Sequence, residues 1–332
     1  MKFFPVVAVI AGVSAMVALV WRLGWTAVLH SLVAIGPLGF VTVCMIHTAL
    51  IALMGLAWGV LLPSTKPWMA VWGRFVRDAG SEVLPLSQVG GYVLGTRALS
   101  LAGVPATQGA ASTIVDVTLE FVGQLAYIAL GLLWVLHLKA EGIAPGIIVL
   151  GLTGASVLAV AFVAVQRHGI RYVDRIARIL GQGWAERTAA GAAALHQALE
   201  AIYRRRGGLW LSFLLHFLCW ILSASEIWVA LAFAGQPIPF GSALVIESLV
   251  YALRTVAFIV PNAVGVQEGA YILIGGAFGL SPEMALALSL LKRARDWIIG
   301  VPVLALWQIV EGGRLARRVT AKAAPPPVPS RD

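Results

Sequence analysis

The sequence predicts an all-α protein that crosses a membrane several times, and its composition carries that prediction. Of its 332 residues, 60% are apolar and 12% are charged, against roughly 45–50% and about 25% in soluble domains. A soluble fold of this length has too little interior to bury so much apolar surface. Soluble enzymes and disordered scaffolds are therefore excluded, and a polytopic bundle of membrane helices is predicted.

The net charge of +9 is concentrated in two segments of the chain. Residues 166–208 contain eight arginines and three acids, and residues 311–332 contain five basic residues and two acids. Positive charge beside membrane spans is typical of cytoplasmic loops, whereas nucleic-acid binding needs a basic face on a folded domain. We therefore expect both segments and both termini in the cytoplasm, and no nucleic-acid partner.

Runs of about twenty apolar residues predict the individual spans. The candidates are 3–21, 38–62, 113–138, 145–165, 209–234 and 297–309. Within 166–208, apolar residues recur at helical spacing opposite the arginines, which predicts an amphipathic segment on the cytoplasmic surface. Residues 1–312 are predicted to form one domain, and the basic, proline-rich residues 313–332 a disordered tail.

Two further regions, about 67–111 and 240–296, are apolar but interrupted by glycine, proline and charged residues. In hydrocarbon, a broken backbone is tolerated only where protein or a wet cavity covers it, so both regions are predicted as re-entrant hairpins. The predicted topology places them on opposite sides of the membrane, as in the inverted repeats that give transporters alternating access. The residues expected to shape the hairpins are Pro85, Gly90, Gly91, Pro261, Asn262 and Gly265.

Ionisable residues inside these apolar stretches are the candidate functional residues. Those expected to line a central cavity are Arg97, Asp116, Glu120, Glu247, Arg254, Glu268, Arg293 and Arg295. Two interpretations are open. The arginines would hold a phosphate group, or acids and bases would pair across the bundle, Asp116 and Glu120 with Arg293 or Arg295.

Neither metal binding nor catalysis has a recognisable motif in the sequence. Cys44 and Cys219 lie apart in apolar runs, and the six histidines show no H-E-x-x-H spacing. We therefore expect no metal, no cofactor and no catalytic residue. His47 and His216 are interpreted as solitary packing or interfacial side chains.

Several of these residues together resemble a known family. The stretch 81–91, then Arg97, Asp116 and Glu120, and the P-x-x-x-G-x-x-E element at 261–268 resemble the transmembrane flippase-like domain of lysylphosphatidylglycerol synthases and their stand-alone relatives. The stretch 81–91 is most similar to the branch associated with hopanoid biosynthesis. The resemblance implies a bacterial inner-membrane protein whose two hairpins surround a lipid-accessible cavity, and lipid translocation rather than enzyme chemistry.

The chain also departs from the family pattern, which leaves its substrate open. Many relatives have an acid where this chain has Gly91, and an arginine where it has Val117. The expected substrate is an anionic phospholipid or a hopanoid-related lipid, and membrane lipids are the expected partners. A membrane enzyme that modifies lipid headgroups and a non-transporting organiser of lipid assembly stay open as alternatives, as do a homodimer and association with lipid-biosynthesis enzymes.

Overall fold

A computed structural model shows an entirely helical protein over the residues that it describes, which are 14, 16–84, 87–138, 153–154, 182–257 and 260–323. The helices are α1 (Trp25–Val60), α2 (Pro67–Val83), α3 (Ser87–Ala102), α4 (Ala106–Leu138), α5 (Gln182–Arg204), α6 (Arg206–Phe233), α7 (Phe240–Val256), α8 (Val266–Ala277) and α9 (Pro282–Ala323). A short 3₁₀ turn, Pro261–Ala263, lies between α7 and α8. The predicted all-α fold is confirmed.

Among the described residues, three helices are long and apolar enough to cross a membrane. They are Trp25–Gly59 in α1, Ala106–Val135 in α4 and Arg206–Phe233 in α6. These helices contain most of the predicted spans 38–62, 113–138 and 209–234, whereas the predicted span 297–309 is an internal part of α9. The predicted spans 3–21 and 145–165 fall largely outside the described residues.

The order of helix lengths repeats along the chain. Helices α1 to α4 have 36, 17, 16 and 33 residues, and α6 to α9 have 28, 17, 12 and 42. Each unit is therefore a long helix, a hairpin of two short helices and a second long helix. The hairpin helices have at most 17 residues, so each is about 26 Å long at most. That length is less than the ~30 Å hydrocarbon core of a bilayer, so none of them spans it alone. Both hairpins lie where proline and glycine predict them.

The first long helices of the two units, α1 and α6, pack against each other in opposite directions. Gly39, in the first half of α1, lies against Phe233 at the end of α6. At the other end, Arg205 Nη1 donates to the carbonyl oxygen of Val60 over 3.4 Å. The equivalent helices α1 and α6 therefore run antiparallel, which is the arrangement that the predicted inverted repeat requires of them.

Helices α2 and α3 approach each other closely through glycine. Gly91 and Gly95 form a G-x-x-x-G pattern on α3, which allows two helix backbones to come together. A Cβ atom at Gly91 would lie 2.5 Å from the carbonyl oxygen of Arg77, and one at Gly95 would lie 3.0 Å from that of Gly73. Any larger residue at either position would push the hairpin apart.

The C-terminal segment differs from its prediction. Helix α9 continues to Ala323, so residues 313–323 are helical rather than disordered. The reason is composition: this stretch is rich in arginine and alanine, which favour helix, and the prolines begin only at Pro325. Residues 324–332 lie outside the described residues.

The cytoplasmic segment predicted at 166–208 is described only from residue 182 onward. There it forms α5 and the beginning of α6. Leu199 and Ile202 of α5 belong to the same buried cluster as Trp58 of α1. This apolar face anchors α5 to the bundle.

Candidate functional site

A cavity of about 620 Å³ lies between the two helical units. Its wall combines apolar residues with an unusual number of ionisable and aromatic side chains. The ionisable residues are His47, Arg74, Arg77, Asp78, Glu82, Glu120, Glu226, Arg254, Arg295 and Asp296, and the aromatic residues include Tyr92, Phe121, Trp220 and Tyr251. Charged groups at this density inside an apolar bundle make this cavity the candidate functional site.

The tips of the two hairpins meet at this cavity. The side-chain amide of Asn262 donates to the carbonyl oxygen of Glu82, and Arg254 Nη2 lies 3.3 Å from Glu82 Oε1. The chain turns tightly here, since Asn262 and Gly265 have φ angles of 52° and 83°. Glycine adopts this left-handed conformation freely, and asparagine is one of the residues that tolerate it best.

A network of ion pairs joins α2 to α4 on one side of the cavity. In order of contact, its members are Asp78, Arg74, Glu120, Arg77, Asp116 and His216. Glu120 accepts hydrogen bonds from Arg74 at 2.7 Å and from Arg77. Asp116 accepts from Arg77 at 2.6 Å and lies 2.9 Å from His216 Nε2 of α6. We call this the first network.

A second network joins α6, α7 and α9 with His47 of α1. Its members are Asp296, Arg295, Glu226, Lys292, Glu247 and His47. Lys292 Nζ lies 2.7 Å from Glu247 and 3.4 Å from Glu226. The two ring nitrogens of His47 face two carboxylates, Nδ1 at 2.8 Å from Glu226 and Nε2 at 3.6 Å from Asp296.

The two networks occupy equivalent positions with reversed charges. Arg74 is the eighth residue of α2, and Glu247 is the eighth residue of α7. Asp116 is the eleventh residue of α4, and Lys292 is the eleventh residue of α9. The repeat thus extends from helix lengths to the placement of the buried ionic groups.

Some of the predicted site residues are brought together by this arrangement. Glu120, Arg254 and Arg295 lie on the cavity wall. Asp116 and Glu247 are completely buried, each in contact with a charged partner in its own network. The pairing that the sequence suggested between the acids of α4 and the arginines of α9 is not the one observed, because Asp116 and Glu120 pair with α2.

Glu268 and Arg293 support the second hairpin and do not belong to the cavity wall. Glu268 Oε2 accepts a hydrogen bond from the backbone N–H of Gly265 at 2.7 Å, which caps the first turn of α8. Arg293 Nε lies 2.5 Å from the same carboxylate, and its Nη2 contacts the carbonyl oxygen of Asn262 at 3.3 Å. These two side chains hold the turn that contains Pro261 in place.

Arg97 also lies away from the cavity. Its side chain is 42% exposed and pairs with Glu311 at 2.6 Å. The reason is its position on α3: it follows Gly95 by two residues, about 200° around the helix, and Gly95 faces α2. Arg97 therefore points outward, contrary to the expectation from the sequence.

Sequence reasoning missed four ionisable residues of α2, namely Arg74, Arg77, Asp78 and Glu82, which all lie on the cavity wall. Arg74, Asp78 and Glu82 are four residues apart and Arg77 lies three residues after Arg74, so one broad helix face presents all four. That spacing is the signal that would have identified them. The interpretation of His47 and His216 as solitary side chains is also wrong. Each contacts a carboxylate on another helix.

The chain was compared with protein families, curated proteins and solved structures, and one family matches. No curated protein and no solved structure matches the chain. The family model of the lysylphosphatidylglycerol synthase TM region matches residues 6–303. This match includes both hairpins and every residue of both networks, so the chain belongs to the lysylphosphatidylglycerol synthase TM region family.

Proposed function

We propose that this protein moves lipids across the bacterial inner membrane, with the cavity between the hairpins receiving the headgroup. Its family supports a membrane location and a role in lipid-related processes. The observation that carries the proposal is a cavity of about 620 Å³, lined with ionic groups, inside an apolar helix bundle. That volume lies within the ~300–1,000 Å³ range of small-ligand pockets.

The inverted units supply a route for the movement. Inverted repeats in transporters allow one conformation to open the central site to one side and its mirror conformation to open it to the other. The opposed directions of α1 and α6 and the meeting of the two hairpin tips fit this scheme. In our proposal the arginine-rich segment and both termini face the cytoplasm, and the protein is a transporter rather than an enzyme.

The accessible charges of the cavity wall indicate which headgroup it favours. Four acids, Asp78, Glu82, Glu120 and Asp296, expose 22, 25, 13 and 12% of their side chains. Arg74, Arg77 and Arg295 expose only 3–4%, and Arg254 exposes 16%. A mainly acidic surface attracts cations, so we favour a headgroup that contains an ammonium group over the purely anionic one expected from the arginines in the sequence.

The proposal is tested with purified protein in liposomes that contain a trace of fluorescent lipid. Dithionite bleaches only the label in the outer leaflet, which holds about half of the labelled lipid. Bleaching of more than about half of the label therefore shows that lipid has moved from the inner leaflet to the outer one. Arg254→Ala and Arg97→Ala form a matched pair, because both remove an arginine from an ion pair with a glutamate. We expect Arg254→Ala to slow movement about tenfold, which corresponds to ~1.4 kcal/mol, and Arg97→Ala to leave it unchanged.

Two outcomes would contradict the proposal. One is bleaching that stops at half with the wild-type protein, in liposomes of every headgroup composition. The other is equal loss in both variants, which would place the effect outside the cavity. Mass spectrometry of the lipids after incubation is the check on the enzyme alternative, since a modified headgroup would indicate catalysis.

A further inference from the structure

A second, smaller cavity lies between α5, the loop that follows α1 and the beginning of α4, and we call it the junction pocket. Its volume is about 200 Å³. Of the described residues that line it, six are apolar, three are polar and one is charged. They are Leu61, Leu62, Pro63, Ser64, Thr65, Gln108, Ala198, Ala201, Ile202 and Arg205. No described residue lines both this pocket and the cavity between the hairpins, so the two are separate.

The charged residue, Arg205, is the single residue between α5 and α6. Helix α5 ends at Arg204 and α6 begins at Arg206, whereas Arg205 leaves the helical conformation with a φ of −88° and a ψ of 65°. Its contact with the carbonyl oxygen of Val60, at 3.4 Å, is long and engages one of five N–H donors. In the described part of the chain Arg205 has no carboxylate partner, since Glu200 pairs with Arg204 instead. Most of its donors are therefore free to bind a ligand.

The polar residues of the junction pocket add further donors. Ser64 and Gln108 have no hydrogen-bond partner among the described residues, whereas the Thr65 hydroxyl donates to the Leu62 carbonyl oxygen at 2.7 Å. Gln108 is the third residue of α4, so the pocket lies beside the first turn of that helix. The backbone N–H groups of a first turn lack partners within the helix, and the helix dipole is positive there, so this turn favours an anion.

The surface around the junction pocket is basic. Lys66 follows the lining residue Thr65, and Arg204 and Arg206 flank Arg205; all three are exposed. The acid Glu200 is also exposed, but Arg204 engages it at 3.1 Å. This excess of cations attracts a negatively charged ligand and repels one that presents an ammonium group.

Exposed aromatic residues indicate where the pocket lies relative to the bilayer. Trp68 near the beginning of α2, Tyr203 near the end of α5 and Trp210 near the beginning of α6 expose 56, 46 and 66% of their surface. Each lies within five residues, along the chain, of a residue that lines the pocket. Tryptophan and tyrosine collect at the level of the lipid headgroups, so lipid headgroups are the anions that this pocket meets.

We propose that the junction pocket binds the headgroup of an anionic phospholipid, such as phosphatidylglycerol. Arg205 pairs with the phosphate, and Ser64 and Gln108 donate to its other oxygens. A volume of about 200 Å³ is below the ~300–1,000 Å³ of pockets that enclose a small ligand, so the pocket holds the phosphate region, and its apolar residues contact the adjoining part of the lipid. The cavity between the hairpins favours an ammonium group, so this bound lipid differs from the one proposed to move, and its binding does not rest on the proposed function.

The site is tested by native mass spectrometry of the full chain in an uncharged detergent, titrated with phosphatidylglycerol. We expect Arg205→Gln to weaken binding of the first lipid about fivefold, which corresponds to ~1 kcal/mol. Arg204→Gln is the matched control, because it removes the same charge from the adjacent residue, whose side chain is 81% exposed, and it should leave that affinity nearly unchanged. Equal weakening by both variants would show attraction to a basic surface without a pocket. That result, or full binding by Arg205→Gln, overturns the proposal.

A second pair of variants tests the pocket without removing a charge. Ala201 lines the pocket and is exposed, so Ala201→Trp should fill it from its mouth and weaken binding about as much as Arg205→Gln. Ala193→Trp makes the same change at an exposed position of α5 outside the pocket and should have no effect. Unchanged binding by Ala201→Trp overturns the site even if Arg205→Gln fails to fold.

Two comparison ligands test the identity of the occupant. Phosphatidylethanolamine has the same phosphate and an added ammonium group, so we expect it to bind more weakly than phosphatidylglycerol. Inorganic phosphate lacks the part of the lipid that the apolar residues contact, so millimolar phosphate should not displace the lipid. Equal affinity for the two lipids would overturn the preference for a net negative headgroup, and displacement by phosphate would show that the pocket binds a free anion rather than a lipid.

Discussion

Asp116 and Lys292 occupy the same position in the two helical units and carry opposite charges. Each is the eleventh residue of the second long helix of its unit, and each lies within ion-pairing distance of the eighth residue of its own hairpin, Asp116 at 3.9 Å from Arg74 and Lys292 at 2.7 Å from Glu247. The interior of each unit thus depends on an ionic contact between hairpin and long helix. The reversed charges keep this contact in both units. The first hairpin contributes the cation, Arg74, and the second contributes the anion, Glu247.

The first prediction concerns the buried pair in the second unit. Lys292→Met leaves Glu247 without its cation in an apolar interior, and breaking such a pair destabilises a fold by ~3–5 kcal/mol. We expect a clear fall in the melting temperature of the detergent-solubilised protein, with partial recovery when Glu247→Gln is added. Arg204→Met is the control, because its pair with Glu200 is exposed and such pairs contribute only about 0–1 kcal/mol. Equal melting temperatures for Lys292→Met and Arg204→Met would argue against an ionic contact in the core.

The second prediction concerns the glycine contact within the first hairpin. Gly91→Ala places a Cβ atom 2.5 Å from the Arg77 carbonyl, so α2 and α3 must separate, and overpacking of this kind destabilises by ~1–3 kcal/mol. Gly276→Ala is the matched control, since it lies in α8 with no atom within 4 Å of its Cβ position. There the change should be neutral or stabilising, by up to ~1 kcal/mol. Thermal unfolding of both variants measures the contrast, and similar shifts would show that α2 and α3 are not in close contact at Gly91.

The sequence already contains the main signals for the helical hairpins. Pro85 and Pro261 interrupt apolar stretches, and the glycines that follow allow tight turns, so the positions of both hairpins and their inverted relation are predictable from local chemistry. The apolar runs likewise predict α1, α4 and α6. These features depend on residues close together in the chain.

The ion-pair partners of the buried charges could not be predicted from the sequence in the same way. They depend on how each helix is rotated about its axis, and that rotation is set by packing between distant segments. Arg97 and Arg77 both lie in short hairpin helices, yet glycine packing turns Arg77 toward Asp116 and leaves Arg97 outside with Glu311. Helical spacing within α2 would have placed Arg77 and Arg74 on one face, but it does not identify the acids opposite them.

The third prediction concerns the turn of the second hairpin. Asn262 has a φ of 52°, which asparagine tolerates and a β-branched residue does not. Asn262→Gly keeps the turn and removes only the amide contact to the Glu82 carbonyl, so stability should change little. Asn262→Val adds backbone strain of ~1–2 kcal/mol and should lower both the melting temperature and the rate of lipid movement. Equal behaviour of the two variants would mean that the turn conformation is not required.

The fourth prediction concerns headgroup preference. Phosphatidylethanolamine and phosphatidylglycerol share a phosphate, but only the former has an ammonium group, so the two lipids, labelled on an acyl chain, separate the effect of the acidic wall from that of the arginines. We expect the first to move about five times faster, a difference of ~1 kcal/mol. Glu82 exposes more of its side chain than the other acids of the wall, so Glu82→Gln should reduce this ratio. Glu200→Gln, on the exposed surface of α5, should not change it. Faster movement of phosphatidylglycerol would contradict the prediction, because it would show that the cavity selects a headgroup with a net negative charge, as expected if the arginines of the wall outweigh its acids.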